Sequence, residues 1–585
     1  MKRGLFVLAL IMLFVFAGMA YSTDLVRVKI MPDKLKPTTG DEEMPDVIYY
    51  PTTPGTIAQS PGDTAGYTQY DYQSNGSTGT RVVADNQGNV HVAWMNGDPY
   101  PSVRHAYFNC KTPSGWIFPG TGQQVDYQSG AGYVQLSTTA DDRSVVYYHR
   151  APTGAESVFV AIDAFSCLGA FDYRKPPSRN GSQNFIWPYG TIDRNGRIHI
   201  VSTFPAPNAG DPQPFIYNRS NNGGTTWVAN QRVDTVMTIS EVISSSRVSD
   251  KVAIVYTHPR DFDYQVDNDI YYIMSNDGVT WDFSRGKVNV THYGLGGDSL
   301  WAYTDCDAVF DYNDNLHIVW NAQYTTAGAN GMYYLNSRLM HYEKDGGTFS
   351  QIEIYPDTYW VAGCNMGVWN FMYAKMSIAP DANNRLFVTY TGWDQEDCSV
   401  CGYANGDIYL NYSLDGGATW SPKENMTNSH TPGCMAGDCD SDHWSSLAEI
   451  VTGNTLHLFY VNDKDAGGIP QTECSATDNP MLYLAYPVTA IHVGDDIPKD
   501  FKLSQNYPNP FNARTNIGFE LLKNSHVNVT VYDITGSRVA TLLDGDFKAG
   551  AHQISWDADR VASGLYYYTL KTNYGELTKK MTLLK

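Results

Sequence analysis

Three carboxylates and a set of flat rings carry the chemistry this sequence can be expected to do. Asp98, Asp394 and Asp463 each stand just past an apolar, strand-like run. Glycoside hydrolysis needs an acid and a base or nucleophile flanking the bond, and carboxylates are the groups that supply them. The same kind of loop, or the start of the next strand, carries Trp187, Tyr189, Trp301, Trp369, Trp393 and Trp444, with Arg150, His258 and Arg260. Aromatic faces cover the C–H patches of a sugar ring, while Arg and His hydrogen-bond its hydroxyls or carboxylates. These nine residues are the expected ligand-binding set, and a binding protein is expected ahead of an enzyme. An enzyme built on them would be a glycosidase. The competing reading is that the aromatics fill the interior.

Two further constellations concern metals. Asp438, Asp440 and Asp442 alternate beside His443 and Trp444, and hard oxygen ligands suit Ca²⁺, although the full EF-hand loop pattern is absent. No other cofactor is required. Nine cysteines leave one over after pairing. The spacing Cys398-x2-Cys401 followed by Cys434-x4-Cys439 could hold zinc, but in an exported chain disulfides that staple long loops are expected. Cys306, inside a strand-like run, is the expected buried free thiol. His91, His199, His317 and His457 fall at one repeated position, which points to packing or hydrogen bonding rather than to a metal.

The elements that must position these residues are repetitive. An apolar strand, a polar turn and a second strand ending in Trp or Tyr recur, with second strands centred near Val92, Val146, Ile200, Ile254, Ile318, Val388 and Leu458. Each step holds about four short strands, and no long stretch has helical periodicity. Repeats of this kind read as propeller blades. The expectation is an all-β chain with a seven-bladed β-propeller over residues 74–490, six blades being the alternative. The last repeat has only three clear strands, so a fourth should come from within Asp46–Gln73 and close the ring.

A shorter phrase sits inside the repeat. Ser220, Asn222, Gly224, Thr226 and Trp227 fit S-x-[DN]-x-G-x-T-W, and Ser413, Asp415, Gly417, Thr419 and Trp420 fit it again. Ser275, Asp277 and Trp281 mark a copy one residue shorter. A side-chain carboxylate or amide that caps backbone N–H groups, with Gly at positive φ, makes a self-capped turn. The phrase resembles the Asp box of the sialidase-like (BNR-repeat) β-propellers. In propeller geometry it falls between third and fourth strands, away from the face with the central opening, and is structural. The sialidase family has six blades and uses an arginine triad, an Asp acid/base and a Tyr–Glu pair. Its Arg-Ile-Pro phrase is absent here, with Val103-Arg104-His105 in that region.

The ends of the chain read as export signals. Lys2-Arg3, an apolar run and small residues predict a signal peptide over 1–20, too short for a comfortable membrane span. Residues 21–73 read as an extended lead-in. From residue 497 to 585, alternating strands and regular turns predict a small Ig-like β-sandwich. Its Tyr507-Pro-Asn-Pro-Phe511 phrase and the strands that follow resemble the type A C-terminal sorting domain of type IX secretion cargo. That resemblance implies passage through the periplasm, the type IX outer-membrane machinery as partner, and an extracellular or cell-surface destination. A structural surface scaffold is a further functional alternative. The net charge of −21 argues against nucleic acid as a partner, and no transmembrane segment is expected in the mature chain.

Overall fold

A computed structural model describes the strand Tyr49–Tyr50 and residues 60–488 and 501–585, apart from 98–103, 151–156, 294–298, 326–336, 356–362 and scattered single positions. The predicted signal peptide and most of the lead-in lie outside the described residues. Among those described, secondary structure is almost wholly β, with one short 3-10 turn at Ile469–Gln471. The chain divides into two compact units at Val488/Thr489.

The first unit is a succession of antiparallel sheets, most of four strands, with two neighbouring groups joined into one eight-stranded sheet where Asn268 pairs with Ala302. Their innermost strands are Val82–Ala84, Ala131–Thr138, Ile186–Ile192, Glu241–Ser245, Ser299–Phe310, Tyr373–Pro380 and Ser441–Leu447. Each pairs with the strand that follows it in sequence: Val90–Gly97, Ser144–Arg150, Ile198–Thr203, Val252–Pro259, Leu316–Thr325, Leu386–Cys398 and Thr455–Asp463. The repeat centres expected from sequence all fall on these second strands. Innermost strands touch their neighbours in order, and Val82–Ala84 also touches Thr455–Asp463, so first and last sheets meet. The last sheet takes its outer strand from the N-terminal side: Asp63–Thr68 pairs antiparallel with Asn479–Pro487. Because sheets pack face to face, second strands bury both faces and lose period-two alternation. Ser144–Arg150 and Ile198–Thr203 are buried throughout, whereas the outer strand Phe171–Arg174 is half-exposed.

Repeated side chains serve the turns. Asp85, Asp193 and Asp311 each cap the turn after an innermost strand, accepting backbone N–H groups two and four residues on. His91 and His199 pair through Nε2 with the first two at 3.1 and 3.0 Å, while Nδ1 meets Ser144 and Tyr217 hydroxyls. His317 Nε2 lies 3.4 Å from Asp311, and His457 Nδ1 meets the Tyr483 hydroxyl at 2.7 Å. All four are thus built into hydrogen-bond networks. The Asp-box phrases follow the third strands Gln213–Ser220, Asn268–Ser275 and Ala404–Ser413. Asp415 accepts from the Thr419 amide and hydroxyl at 2.9 and 2.7 Å, and Ser413 Oγ accepts from Gly417 N at 2.8 Å.

Eight cysteines pair as Cys110–Cys167, Cys364–Cys398, Cys401–Cys474 and Cys434–Cys439. Cys306 is free and buried, as expected. Three of the bridges tie the loops around the last two sheets, where polar chain has no core of its own.

The second unit has two sheets. One holds Phe501–Leu503, Arg514–Leu521 and Gly550–Asp557; the other holds Ser525–Asp533, Arg538–Phe547, Gly564–Thr572 and Gly575–Leu583. Here alternation survives. Thr515, Ile517, Phe519 and Leu521 point inward on one strand and meet Val527, Val529 and Val531 from the other sheet in a shared core.

Candidate functional site

The innermost strands are bulged where they approach the axis. Pairing slips between Gly132 and Gln135, Ile186 and Tyr189, Ala302 and Cys306, Ala374 and Ser377, and His443 and Ser446. Four of the bulges put a non-glycine residue at positive φ: Tyr133 (52°), Trp187 (53°), Lys375 (54°) and Trp444 (51°). A bulge re-aims its side chain, and each of these four side chains is buried.

They pack around a segment the sequence reading did not place there. Residues 70–78, between the closing strand and the first innermost strand, are buried along their length. The Ser74 carbonyl accepts from Trp444 Nε1 at 3.3 Å, Gly76 O from Lys375 Nζ at 3.0 Å and Ser77 O from the Tyr189 hydroxyl at 2.7 Å. Thr78 O accepts from Gln135 and Gly79 O from Ser446. Irregular backbone can be buried only where its polar groups are satisfied, and here the surrounding strands satisfy them. Lys375 also pairs with Asp305 at 3.3 Å in this interior.

This packing corrects the expected aromatic platform. Trp187, Trp369 and Trp444 are at most 2 % exposed, and Tyr189, Trp393 and Arg150 are each 6 % exposed. Their side chains face protein, not solvent. Arg150 is flanked by the rings of Phe159 and Tyr127, at 4.9 and 5.0 Å. Three of the nine stay at the surface. Trp301 is half-buried, with the Arg260 guanidinium 4.2 Å from its ring centroid. His258 is half-buried, its ring 4.7 Å from that of Tyr271. Phe262, 45 % exposed, lies 6.0 Å from His258 and was not anticipated. These residues share the end of the sheets that carries the loops from second to third strands.

The expected acids do not share one environment. Asp98 lies outside the described residues. Asp394 is exposed and accepts the Glu396 amide at 2.9 Å. Asp463 is fully enclosed, 3.3 Å from His443 Nε2, and burial pushes its carboxyl well above the usual range. Burial and the Asp463 charge do the same to Asp71, which accepts the Ile469 amide at 3.0 Å. The expected calcium ligands also have other partners. Asp440 holds Lys464 Nζ at 2.6 Å, and Asp442 accepts from Ser60, Ser429 and Asn462. Asp438 is exposed. Among the described residues, the one gathering of three potential metal-ligand residues is His91, Cys110 and Cys167, whose cysteines are in a disulfide.

Residues 505–583 match the family model of the secretion system C-terminal sorting domain. That domain indicates export to the cell surface or extracellular space, and no described helix is long and apolar enough to cross a membrane. No curated protein matches the chain. Similar solved structures include an ulvan lyase of a polysaccharide lyase family, 9 % identical, covering 70 % of this chain and 99 % of its own, TM-score 0.40. A Fusarium graminearum α-L-arabinofuranosidase is 11 % identical, covering 57 % and 93 %, TM-score 0.35. A Hadza microbial sialidase is 13 % identical, covering 80 % and 96 %, TM-score 0.34.

Proposed function

We propose that this protein is a secreted or surface-displayed seven-bladed β-propeller that binds carbohydrate, exported by its Ig-like C-terminal module. The binding surface is the second-to-third-strand end around His258, Arg260, Phe262 and Trp301. The observation that carries the reading is the Arg260 guanidinium over the half-buried Trp301 ring at 4.2 Å. That pair joins an apolar face for a sugar ring to a cation for its polar substituents. A glycan array probed with the full chain tests it. Trp301→Ala should weaken the strongest hit by about 2 kcal/mol or more, as truncation of a stacking residue does, at unchanged melting temperature. Equal binding by Trp301→Ala and Arg260→Ala would reject the surface.

A scaffold is the second reading, and the filled axis favours it. An array with no hit above background would point that way.

A further inference from the structure

The turns from first to second strands surround an open well of about 540 Å³ at the other end of the sheets. Asn86, Thr139, Arg194, Arg247, Tyr312 and Glu449 come to it from six different first-to-second-strand turns, and Thr80, just past the axial segment, lines it as well. This volume is that of a small-molecule site.

Most rim charges are already engaged. Asp85 and Asp193 cap their turns and pair with His91 and His199. Asp142 accepts from Asn86 and Gln87 side chains. Arg194 donates to the Val248 carbonyl at 2.7 Å, and Glu449 accepts from the Thr80 hydroxyl at 3.2 Å. Arg247 differs. Its side chain is 52 % exposed, and its nearest carboxylate oxygen, on Glu449, stands 3.8 Å away, beyond hydrogen-bond distance. A guanidinium with five N–H donors therefore overhangs the well with no side-chain hydrogen bond among the described residues, its ion-pair partner Glu449 Oε2 standing 3.8 Å away. The Thr138 hydroxyl lines the wall as well, while the protons of the Thr80 and Thr139 hydroxyls go to Glu449 and Asp141 and leave those oxygens as acceptors.

We propose that this well binds a sugar-sized ligand carrying one oxyanion group, a carboxylate or a sulfate, which Arg247 clamps. The site is separate from the Arg260–Trp301 surface and does not depend on it.

Calorimetric titration of the full chain with glucuronate, glucose 6-sulfate, glucose and acetate tests the proposal. One of the two anionic sugars should bind at one site per chain, at least about tenfold tighter than glucose or acetate, since a charge-assisted clamp of this size is worth about 1.4 kcal/mol or more. The tighter of the two identifies the oxyanion. Arg247→Gln should lose at least that tenfold, Thr138→Trp should fill the well and abolish binding, and Trp301→Ala should bind normally. Absence of saturable binding by either anionic sugar overturns the proposal. So does acetate binding equally well, or binding that survives both Arg247→Gln and Thr138→Trp.

Discussion

Ser77 and Cys306, 229 positions apart, are hydrogen-bonded in both directions: Ser77 Oγ donates to the Cys306 carbonyl at 2.7 Å and accepts the Cys306 amide at 3.2 Å. The serine belongs to the axial segment and the cysteine to the innermost strand Ser299–Phe310. With Lys375 on Gly76 O and Tyr189 on Ser77 O, the contact makes the segment part of the core.

Gly76→Ala tests that fit. A Cβ at Gly76 would lie 1.8 Å from the Ile239 carbonyl oxygen, so backbone must move. Overpacking of this kind costs about 1–3 kcal/mol or more. Gly88, a surface turn glycine with nothing within 4 Å but φ of 83°, is the control, and alanine there should cost about 1 kcal/mol through backbone strain alone. Denaturant midpoints should fall further for Gly76→Ala. Equal falls would mean that the axial segment is loosely held.

Stability should depend on pH in a direction set by buried carboxyls. Burial pushes Glu241 up to about 8, and Asp307 and Asp442 up to about 7. Above their ordinary values near 4, the unfolded chain releases protons the native state keeps. Stability therefore falls as pH rises from about 4, toward 7 for the two aspartates and toward 8 for Glu241. Burial raises Asp85 and Asp193 as well, but hydrogen bonds led by His91 and His199 outweigh it and hold them at about 2. Their contribution is lost as pH falls from about 4 through 2. The expected maximum lies near pH 4–5. Glu241→Gln keeps an acceptor for the Thr203 hydroxyl and removes the ionisation. Its urea midpoint should exceed the parent's at pH 8 and approach it at pH 4.5; parallel curves would refute the assignment.

The repeat was legible because turn chemistry and strand alternation are local. Asp-x-x-x-x-x-His at Asp85 and Asp193, and the Ser-Asp-Thr-Trp boxes, announce their hydrogen bonds in a few residues. The closing strand was legible to within Asp46–Gln73 because the last repeat was one strand short, and it lies at Asp63–Thr68. The site was much less legible. Trp187 and Trp301 look alike in sequence, each at the start of an innermost strand. Which ring reaches solvent depends on residues 70–78, whose Ser-Asn-Gly-Ser-Thr run reads as a surface linker. Its burial rests on donors contributed from as far away as Trp444, and no local pattern encodes such partners. The same holds for the cysteines: count and compartment gave pairing, while the partners Cys401 and Cys474 come from different sheets.

Thiol titration should separate nine cysteines into two classes. Cys306 is fully enclosed, and burial pushes its thiol well up, so it should not react in the native protein. Denaturation without reductant should expose one thiol per chain, and reduction should expose nine. Cys401→Ser with Cys474→Ser removes the bridge between the loops of the last two sheets. Such a loss typically costs about 2–4 kcal/mol, read as a lower denaturant midpoint. Three or more thiols in the denatured, unreduced chain would contradict the pairing.

The two compact units predict the outcome of truncation. The C-terminal unit has its own core, with Ile517, Phe519, Val529, Tyr568 and Leu583 buried among one another. It also holds the sorting-domain match at 505–583. The first unit closes its last sheet with Asp63–Thr68, and among the described residues its sheets are built from strands up to Pro487. A chain ending at residue 495 should therefore keep the melting temperature of the first unit, its β circular dichroism and its unreduced thiol count of one. It should also lack the signal read at the outer membrane. In cells, the full chain should appear at the surface or in the medium, and the truncated chain should accumulate in the periplasm as a folded, protease-resistant protein. Appending 496–585 to an unrelated periplasmic protein should carry that protein out. Secretion of the truncated chain at the normal level would show that export does not depend on this module. Loss of its folding would show instead that the two units are not independent.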